Sequence, residues 1–205
     1  MKVAILTCST PNRKWLYDIT NTTKEKYCQK FGYTYIFDDT FYPDKSRHPY
    51  WNKIKFVAEK LKDFDYVVWM DDDAGFIKFD KSLDDFLKCD FGYCEDLNGF
   101  NCGVFVVKNI EENQNIFDFI WNKMYNEYKT HFFPEQDALK EIYQKSMPDL
   151  GTAFDGSLYN AYDKVVITSK NQRNENTIIL HIAAGSDYKE KHKDLIRNLY
   201  ANNMQ

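Results

Sequence analysis

Three consecutive aspartates, Asp71-Asp72-Asp73, follow directly on the apolar segment Tyr66–Met70. An apolar run of this length predicts a buried strand, so the three carboxylates stand at its carboxyl end. Like charges this close raise one another's pKa unless a cation neutralises them, and a divalent ion with oxygen ligands suits such a cluster. Because side chains alternate along a strand, we expect Asp71 and Asp73 to point to one side and Asp72 to the other. The pattern predicts a Mg²⁺ or Mn²⁺ site with positions open for a diphosphate.

Other interpretations of the triplet differ in how well they fit the chain. An acidic turn whose carboxylates cap backbone amides stays open. A calcium loop of the EF-hand type requires Glu at the twelfth position, but counting from Asp71 that position is Ser82. Phosphatases that use an Asp-x-Asp nucleophile normally carry it after the first strand, and here that strand ends in Thr7-Cys8-Ser9.

The elements that would position the triplet predict an α/β protein. Strands are predicted at Lys2–Thr7, Thr34–Phe37, Tyr66–Met70, Phe91–Glu95, Gly103–Val107, Lys164–Thr168 and Thr177–His181. Helices are predicted at Tyr17–Phe31 with Gly32 as cap, Trp51–Leu61, Ile116–Met124, Glu135–Lys145 and Asp187–Asn202, with a short one from a Ser82-x-x-Asp85 capping box to Lys88. Strands separated by helices indicate a mainly parallel central sheet, and the closely spaced later strands, flanking a turn at Asp96–Asn101, indicate an antiparallel portion. Ligands are then expected at the carboxyl ends of the parallel strands.

Composition limits the classes of function. The chain has 205 residues and a net charge of −4, which argues against non-specific binding of nucleic acid. Its 43% hydrophobic residues exclude disorder of the whole chain, and no apolar run is long enough to span a membrane. Five cysteines form no Cys-x-x-Cys pair, which favours a reducing, cytoplasmic setting over a disulfide framework.

Four blocks of sequence suggest a family. They are Trp51–Ile54, Trp69–Ala74, Asn101–Asn109 and Glu135–Leu139, in this order and at characteristic spacing. Together they resemble the GT-A-fold glycosyltransferases, in particular the group of fungal Golgi α-galactosyl- and α-mannosyltransferases and plant xyloglucan α-xylosyltransferases. The resemblance covers roughly residues 1–185.

The resemblance implies a Rossmann-type nucleotide-sugar fold with helices on both faces of the sheet. Residues 1–205 are expected to form one glycosyltransferase domain, with a nucleotide-binding half (1–100), an acceptor and metal-completing half (101–185) and a C-terminal helix (186–205). The implied activity moves a hexose or pentose from a nucleotide sugar, UDP-linked by preference, to a hydroxyl of a glycan or other acceptor with retention of configuration. Family members are usually anchored in the Golgi membrane, whereas we expect this chain to be a soluble relative.

The resemblance also assigns roles to particular residues. The implied ligands of Mn²⁺ or Mg²⁺ are Asp71, Asp73 and His181. Contacts to the nucleotide are expected from Thr7, Ser9, Lys53, Asp71, Asp72 and Lys189. Contacts to the reacting sugar and acceptor are expected from Asn101, Gln136 and Asp137, with Gly103 in the same loop as Asn101.

Two points of mechanism and class stay open at the level of sequence. Retention can proceed by attack on the face that the leaving group vacates, or through a carboxylate under the sugar ring, for which we name Asp137. Its neighbour Glu135 is interpreted as a first-turn residue that interacts with the helix dipole. Two alternatives to a transferase are a catalytically silent sugar- or metal-binding module and a divalent-metal phosphohydrolase.

Overall fold

Six strands form the central sheet of the computed structural model, which describes residues 1–164 and 170–203. The strands of these residues are β1 (Val3–Cys8), β2 (Thr34–Asp38), β3 (Tyr66–Met70), β4 (Ala74–Phe76), β5 (Phe91–Asp96), β6 (Gly99–Lys108), β7 (Gly151–Phe154) and β8 (Ile179–His181). The order across the central sheet is β2-β1-β3-β6-β5-β7, and β4 pairs with β8 in a separate two-stranded sheet.

The central sheet is mixed in direction, as the sequence predicts. β1 runs parallel to β2 and β3, and β5 runs parallel to β7. β6 is antiparallel to both of its neighbours, β3 and β5. The turn between β5 and β6 is tighter than the predicted Asp96–Asn101, because Asp96 already pairs with Gly99. Gly99 has a φ of 88°, a value that residues with a side chain rarely adopt, so glycine suits this turn.

Eight helical segments surround the sheet in the described ranges. They are α1 (Lys14–Phe31), α2 (Asn52–Lys60), α3 (Glu111–Phe119), α4 (Tyr125–Tyr128), α5 (Pro134–Lys140), α6 (Gly156–Tyr159), α7 (Ser186–Lys191) and α8 (Lys193–Ala201). π-helical turns join α3 to α4 at Ile120–Met124 and extend α5 at Glu141–Ser146. No helix of the described part has the length and apolar character needed to cross a membrane.

Alternation along the strands divides the interior into two main cores. In β3, Val67 and Trp69 face one core, which also receives side chains of α2, α3 and α5. Val68 and Met70 face the opposite core, where Tyr27 of α1 packs. Because side chains alternate along a strand, apolar residues face both sides of the sheet. Helices therefore pack on both faces, as predicted.

Most predicted elements are present, with shifts at their ends. α1 begins at Lys14, three residues before the predicted start, and ends at Gly32, whose φ of 71° makes it the expected left-handed cap. The predicted C-terminal helix is divided at His192 into α7 and α8. The predicted strand Lys164–Thr168 lies outside the described residues apart from Lys164, which is in a turn.

The short helix predicted to end at Lys88 does end there, but it does not begin at the Ser82-x-x-Asp85 capping box. The segment forms only a short 3₁₀ turn at Phe86–Lys88, and Ser82 Oγ accepts from the N–H of Asp84 at 3.4 Å. This contact lies one residue short of the spacing that a capping box needs, so the helix is not initiated there.

The small sheet of β4 and β8 was not predicted, and it positions the aspartate triplet. β4 begins immediately after Asp73, and its first residue, Ala74, pairs with His181 at the end of β8. Three residues that include Gly75 give too short a pattern to predict a strand. The pairing brings a histidine 108 positions further along the chain next to the triplet.

Candidate metal centre at the aspartate triplet

The backbone of the aspartate triplet is held by side chains from three elements. Four consecutive carbonyl groups each accept a hydrogen bond from a side chain. The donors are Thr7 Oγ1 to Met70 O (2.8 Å), Lys24 Nζ to Asp71 O (3.0 Å), Thr20 Oγ1 to Asp72 O (2.6 Å) and Tyr200 OH to Asp73 O (3.1 Å). The turn is therefore fixed from β1, α1 and α8, and its carboxylates are held in defined directions.

Asp71 is half-buried and contacts side chains of β3 and α2. Its Oδ1 accepts from Trp69 Nε1 at 2.7 Å and lies 3.0 Å from Lys53 Nζ. Lys53 is buried, and its Nζ also contacts Glu135 Oε1 at 3.3 Å and donates to Cys102 O at 3.2 Å. Burial alone would lower the pKa of Lys53, but the neighbouring carboxylates raise it well above its ordinary value. A fixed positive charge therefore stands beside Asp71.

Asp72 is engaged by the segment that follows β1. Arg13 donates to both of its oxygens, from Nε and from Nη2, at 2.6 Å each. Ser9 Oγ also donates to Asp72. A bidentate guanidinium contact of this kind is strong and directional. Ser9 and Asp72, both expected to contact a nucleotide, thus bind each other in this structure.

Asp73 is the most deeply buried carboxylate of the triplet. It contacts Lys189 Nζ, and its Oδ1 lies 3.0 Å from Nε2 of His181. Arg13 Nη2 approaches its other oxygen at 3.5 Å. Burial alone would raise the pKa of Asp73, but the charge of Lys189, the contact with His181 and the charge of Arg13 hold it well below its ordinary value. Asp73 is therefore ionised and available as an anionic ligand.

Three side chains converge as a potential ligand set. Asp71, Asp73 and His181 each offer one ligand atom, and these atoms all lie within 4.8 Å of one another. Asp73 Oδ1 has no hydrogen-bond donor among the described residues, although it is buried against the imidazole. Carboxylate oxygens with one imidazole nitrogen form a donor set that suits Mn²⁺ or a related divalent ion. The residues present therefore fit such an ion.

Gly103 makes this convergence possible. A Cβ at this position would lie 2.2 Å from His181 Cε1 and 2.8 Å from its Nδ1. The backbone of Gly103 also accepts from the N–H of Asp71 at 2.8 Å. The imidazole occupies the space that any side chain at residue 103 would need.

The other predicted residues lie at different distances from this ligand set. Gln136 Oε1 accepts from the N–H of Cys102 at 3.1 Å, next to Lys53. Asp137 is not brought into the cluster: its side chain is 37% exposed and pairs with His131 Nδ1 at 2.9 Å. Asn101 is buried, and its amide is hydrogen-bonded to Asp96 and to the backbone of Gly103.

Several residues of the site were not identified from the sequence. They are Arg13, Thr20, Lys24, Glu135, Asn160 and Tyr200. Glu135 is the most consequential, because its carboxylate is buried beside Lys53 and its Oε2 has no partner among the described residues. The sequence shows two acidic residues in the first turn of α5. It does not show which of them faces inward.

Comparisons with known proteins find similar sequences and similar folds. The sequence model of the galactosyl transferase GMA12/MNN10 family matches residues 1–91 and 88–204. A similar curated protein is the probable alpha-1,6-mannosyltransferase MNN10 of Saccharomyces cerevisiae, which is 22% identical over 172 residues. That alignment covers 64% of this chain and 44% of MNN10, so the chain spans less than half the length of this relative.

Solved structures share the fold at low sequence identity. A glycosyltransferase involved in the glycosylation of the major capsid of PBCV-1 superposes with a TM-score of 0.73 at 16% identity, covering 95% of this chain and all of that one (100%). The galactosyltransferase LgtC, solved with donor and acceptor sugar analogs, gives a TM-score of 0.67 at 12% identity, covering 98% of this chain and 96% of LgtC. These likenesses establish a common fold.

Proposed function

Because the chain belongs to the galactosyl transferase GMA12/MNN10 family, we propose that it transfers a sugar from a UDP-linked donor to a hydroxyl of a glycan, in a metal-dependent reaction that retains the anomeric configuration. Membership of this family and the shared fold support a glycosyltransferase of the GT-A type, as its sequence blocks indicate. The donor, the ion and the stereochemistry are the proposed parts.

The observation that carries the metal dependence is the convergence of Asp71, Asp73 and His181. These residues would hold Mn²⁺, or Mg²⁺ in its place. When bound, such an ion supplies Lewis-acid stabilisation of the negative charge that builds on a departing diphosphate. The three ligand residues come from β8 and the turn that follows β3, which are rigidly hydrogen-bonded to each other.

Basic side chains of the site would bind the diphosphate. Among the described residues, the acidic groups Asp71, Asp72, Asp73 and Glu135 are accompanied by the basic groups Arg13, Lys24, Lys53 and Lys189. The negative charges of the carboxylates are thus balanced by neighbouring positive charges. A doubly charged diphosphate therefore meets no uncompensated negative field. Lys53 and Lys189 are the proposed phosphate contacts, while Thr7 and Ser9 remain proposed contacts to the nucleotide at the end of β1.

A carboxylate near the transferred sugar is better supplied by Glu135 than by Asp137. Glu135 lies beside Lys53 and has a free buried oxygen, whereas Asp137 lies at the surface with His131. We therefore propose Glu135 for the role of orienting a sugar hydroxyl or stabilising the positive charge that develops on the sugar ring. Gln136 and Asn101 remain proposed as residues that shape the same region.

We expect Glu135→Gln to slow donor hydrolysis at least ~30-fold, because it removes the charge beside the reacting centre, which is worth about 2 kcal/mol or more in such sites. Asp137→Asn should slow it less than ~3-fold. Initial rates of UDP release at saturating donor and Mn²⁺ measure both variants. A larger loss of rate in Asp137→Asn than in Glu135→Gln would show that Asp137, and not Glu135, acts near the transferred sugar.

Three broader parts of the proposal concern the whole chain. We propose that residues 1–205 act as one glycosyltransferase domain, with the nucleotide bound by residues 1–100 and the acceptor by 101–185. The five cysteines are free thiols, which supports a reducing, cytoplasmic location. Retention is proposed from family membership alone.

A donor-hydrolysis screen tests the proposed function without knowledge of the acceptor. The protein is incubated with UDP- and GDP-linked glucose, galactose, mannose and xylose in Mn²⁺, in Mg²⁺ and in EDTA, and release of nucleotide and free sugar is measured. We expect slow release from a UDP-sugar that depends on the metal. Nucleotide binding without release from any donor would favour a silent sugar-binding module. Release of inorganic phosphate from phosphate esters would favour a phosphohydrolase.

A further inference from the structure

A line of hydrogen bonds runs from Asp96 through two asparagines to the imidazole of the ligand set. Its contacts are Asn101 Nδ2 to Asp96 Oδ2 (2.9 Å), Asn160 Nδ2 to Asn101 Oδ1 (2.8 Å) and His181 Nδ1 to Asn160 Oδ1 (2.8 Å). Asn101, Asn160 and His181 are all buried. Water therefore does not compete for these groups, and each amide must satisfy its neighbours within the protein.

The first amide of this line can adopt only one orientation. The carboxylate of Asp96 accepts hydrogen bonds, so Asn101 must turn its NH₂ group toward it. Asp96 also accepts from Tyr162 OH at 3.0 Å, which leaves no ambiguity at this end. The amide oxygen of Asn101 then faces the N–H of Gly103 at 2.8 Å, where an acceptor is required.

The orientation of the Asn101 amide determines that of Asn160, which in turn determines which nitrogen of the His181 imidazole carries a proton. Because Asn101 presents its oxygen, Asn160 must present its NH₂ group to that oxygen and its own oxygen to His181 Nδ1. A carbonyl oxygen only accepts, so Nδ1 of His181 must carry a proton. In the neutral ring, Nε2 then has a free lone pair, and it faces Asp73 Oδ1 at 3.0 Å. A cation bound at that point would be liganded by both atoms.

We propose that Asn160 is a positioning residue that fixes the tautomer of His181, so that Nε2 is permanently presented as a metal ligand. The inference rests on the metal dependence of the proposed function and adds to it a residue that touches neither the substrate nor the ion. Partners that orient a ligating histidine in this way typically contribute 10- to 100-fold in metal affinity.

The test compares two ions in the variant Asn160→Leu, which keeps the branched shape of the side chain and removes both of its hydrogen bonds. Imidazole is a much better ligand for Co²⁺ than for Mg²⁺, which prefers oxygen. With UDP present, titration calorimetry should show Co²⁺ affinity falling about 10- to 100-fold, while Mg²⁺ affinity changes less than ~3-fold. Equal losses for both ions, or no loss for Co²⁺, would overturn the proposal.

Two controls separate the effect of losing the Asn160 hydrogen bonds from a general loss of stability. Asn113→Leu removes an equally buried amide that binds Asp90 O, Lys108 O and Tyr143 OH away from the triplet, and it should leave both affinities unchanged. In a double-mutant cycle, Asn160→Leu should cause no further loss of Co²⁺ affinity in a His181→Gln background. Additive losses would contradict a role exerted through His181.

A measurement on the unmodified protein covers the case in which Asn160→Leu does not fold. Long-range ¹⁵N–¹H correlation spectra with Mg²⁺ and UDP should show the proton of His181 on Nδ1, the assignment being made with His181→Gln. A proton on Nε2 would overturn the proposal. Absence of metal binding by the wild-type chain would instead refute the metal dependence itself, so the two failures are distinguishable.

Discussion

Asp73→Asn is expected to abolish metal-dependent stabilisation and to slow donor hydrolysis by about 1000-fold, which corresponds to ~4 kcal/mol of transition-state stabilisation. Asp73 is the residue of the ligand set that contacts both His181 and Lys189. Removing its charge also leaves the buried ammonium of Lys189 without its carboxylate, which should destabilise the fold by about 3 kcal/mol. Thermal unfolding with and without Mn²⁺, together with UDP release, measures both effects.

Asp163→Asn is the matched control for this variant. Asp163 is equally buried and pairs with Arg173 at 2.5 Å, outside the ligand set. Its substitution should lower the melting temperature but leave the shift caused by Mn²⁺ and UDP intact. If Asp73→Asn keeps the metal-induced shift as the control does, the ion is bound elsewhere and the proposed centre is wrong.

Gly103→Ala is expected to weaken Mn²⁺ binding by about 10- to 100-fold, because disturbing the groups that hold a ligating histidine in place typically costs this much metal affinity. The added methyl group would stand 2.2 Å from His181 Cε1, so the imidazole must leave its position. The hydrogen bond between the N–H of Gly103 and Asn101 Oδ1 would be disturbed as well. Overpacking of this kind should also lower stability by about 1–3 kcal/mol.

Gly92→Ala provides the comparison for this variant. A Cβ at residue 92 would meet Val106 Cγ1 at 2.6 Å, a similar conflict in the same sheet but away from the triplet. Calorimetric titration with Mn²⁺ and UDP should find near-normal affinity in Gly92→Ala and a large loss in Gly103→Ala. Equal affinities in the two variants would show that the position of His181 does not limit metal binding.

The fold could be predicted from local patterns, whereas the proposed ligand set also needed the family resemblance. β3 is a continuous apolar strand, and carboxylates at its end must face the edge where ligands bind. His181 ends a second short apolar strand, but its role as a ligand is implied by the resemblance and not by that pattern. Its closeness to the triplet depends on the pairing of β4 with β8, which is too short to leave a pattern in the sequence.

The choice between Glu135 and Asp137 shows what sequence alone leaves undetermined. Successive helix residues are separated by about 100°, so these two side chains point to nearly opposite sides of α5. The sequence places both in a first helical turn, but which one turns inward depends on how α5 packs against β6. In the structure Glu135 lies in the first turn of α5, as interpreted, and it is also the one of the two that is buried, beside Lys53.

Arg13 and Asn160 were beyond sequence analysis for a different reason. Arg13 binds Asp72, which lies 59 positions away in the chain, and Asn160 binds His181 at a separation of 21. Neither residue belongs to a periodic pattern or a short motif. Their roles arise from contacts between distant segments, which only the folded structure brings together.

The melting temperature of the wild-type chain, measured alone, with Mn²⁺, with UDP and with both, shows whether the folded protein binds metal and nucleotide together. Because ligands stabilise only the state they bind, the pair at about 100 times its dissociation constant should add ~2.7 kcal/mol, or a rise of about 5–10 °C for a chain of this size. We predict that Mn²⁺ and UDP together raise the melting temperature by more than the sum of their separate effects. A melting temperature that UDP does not raise beyond the value with Mn²⁺ alone would contradict the account.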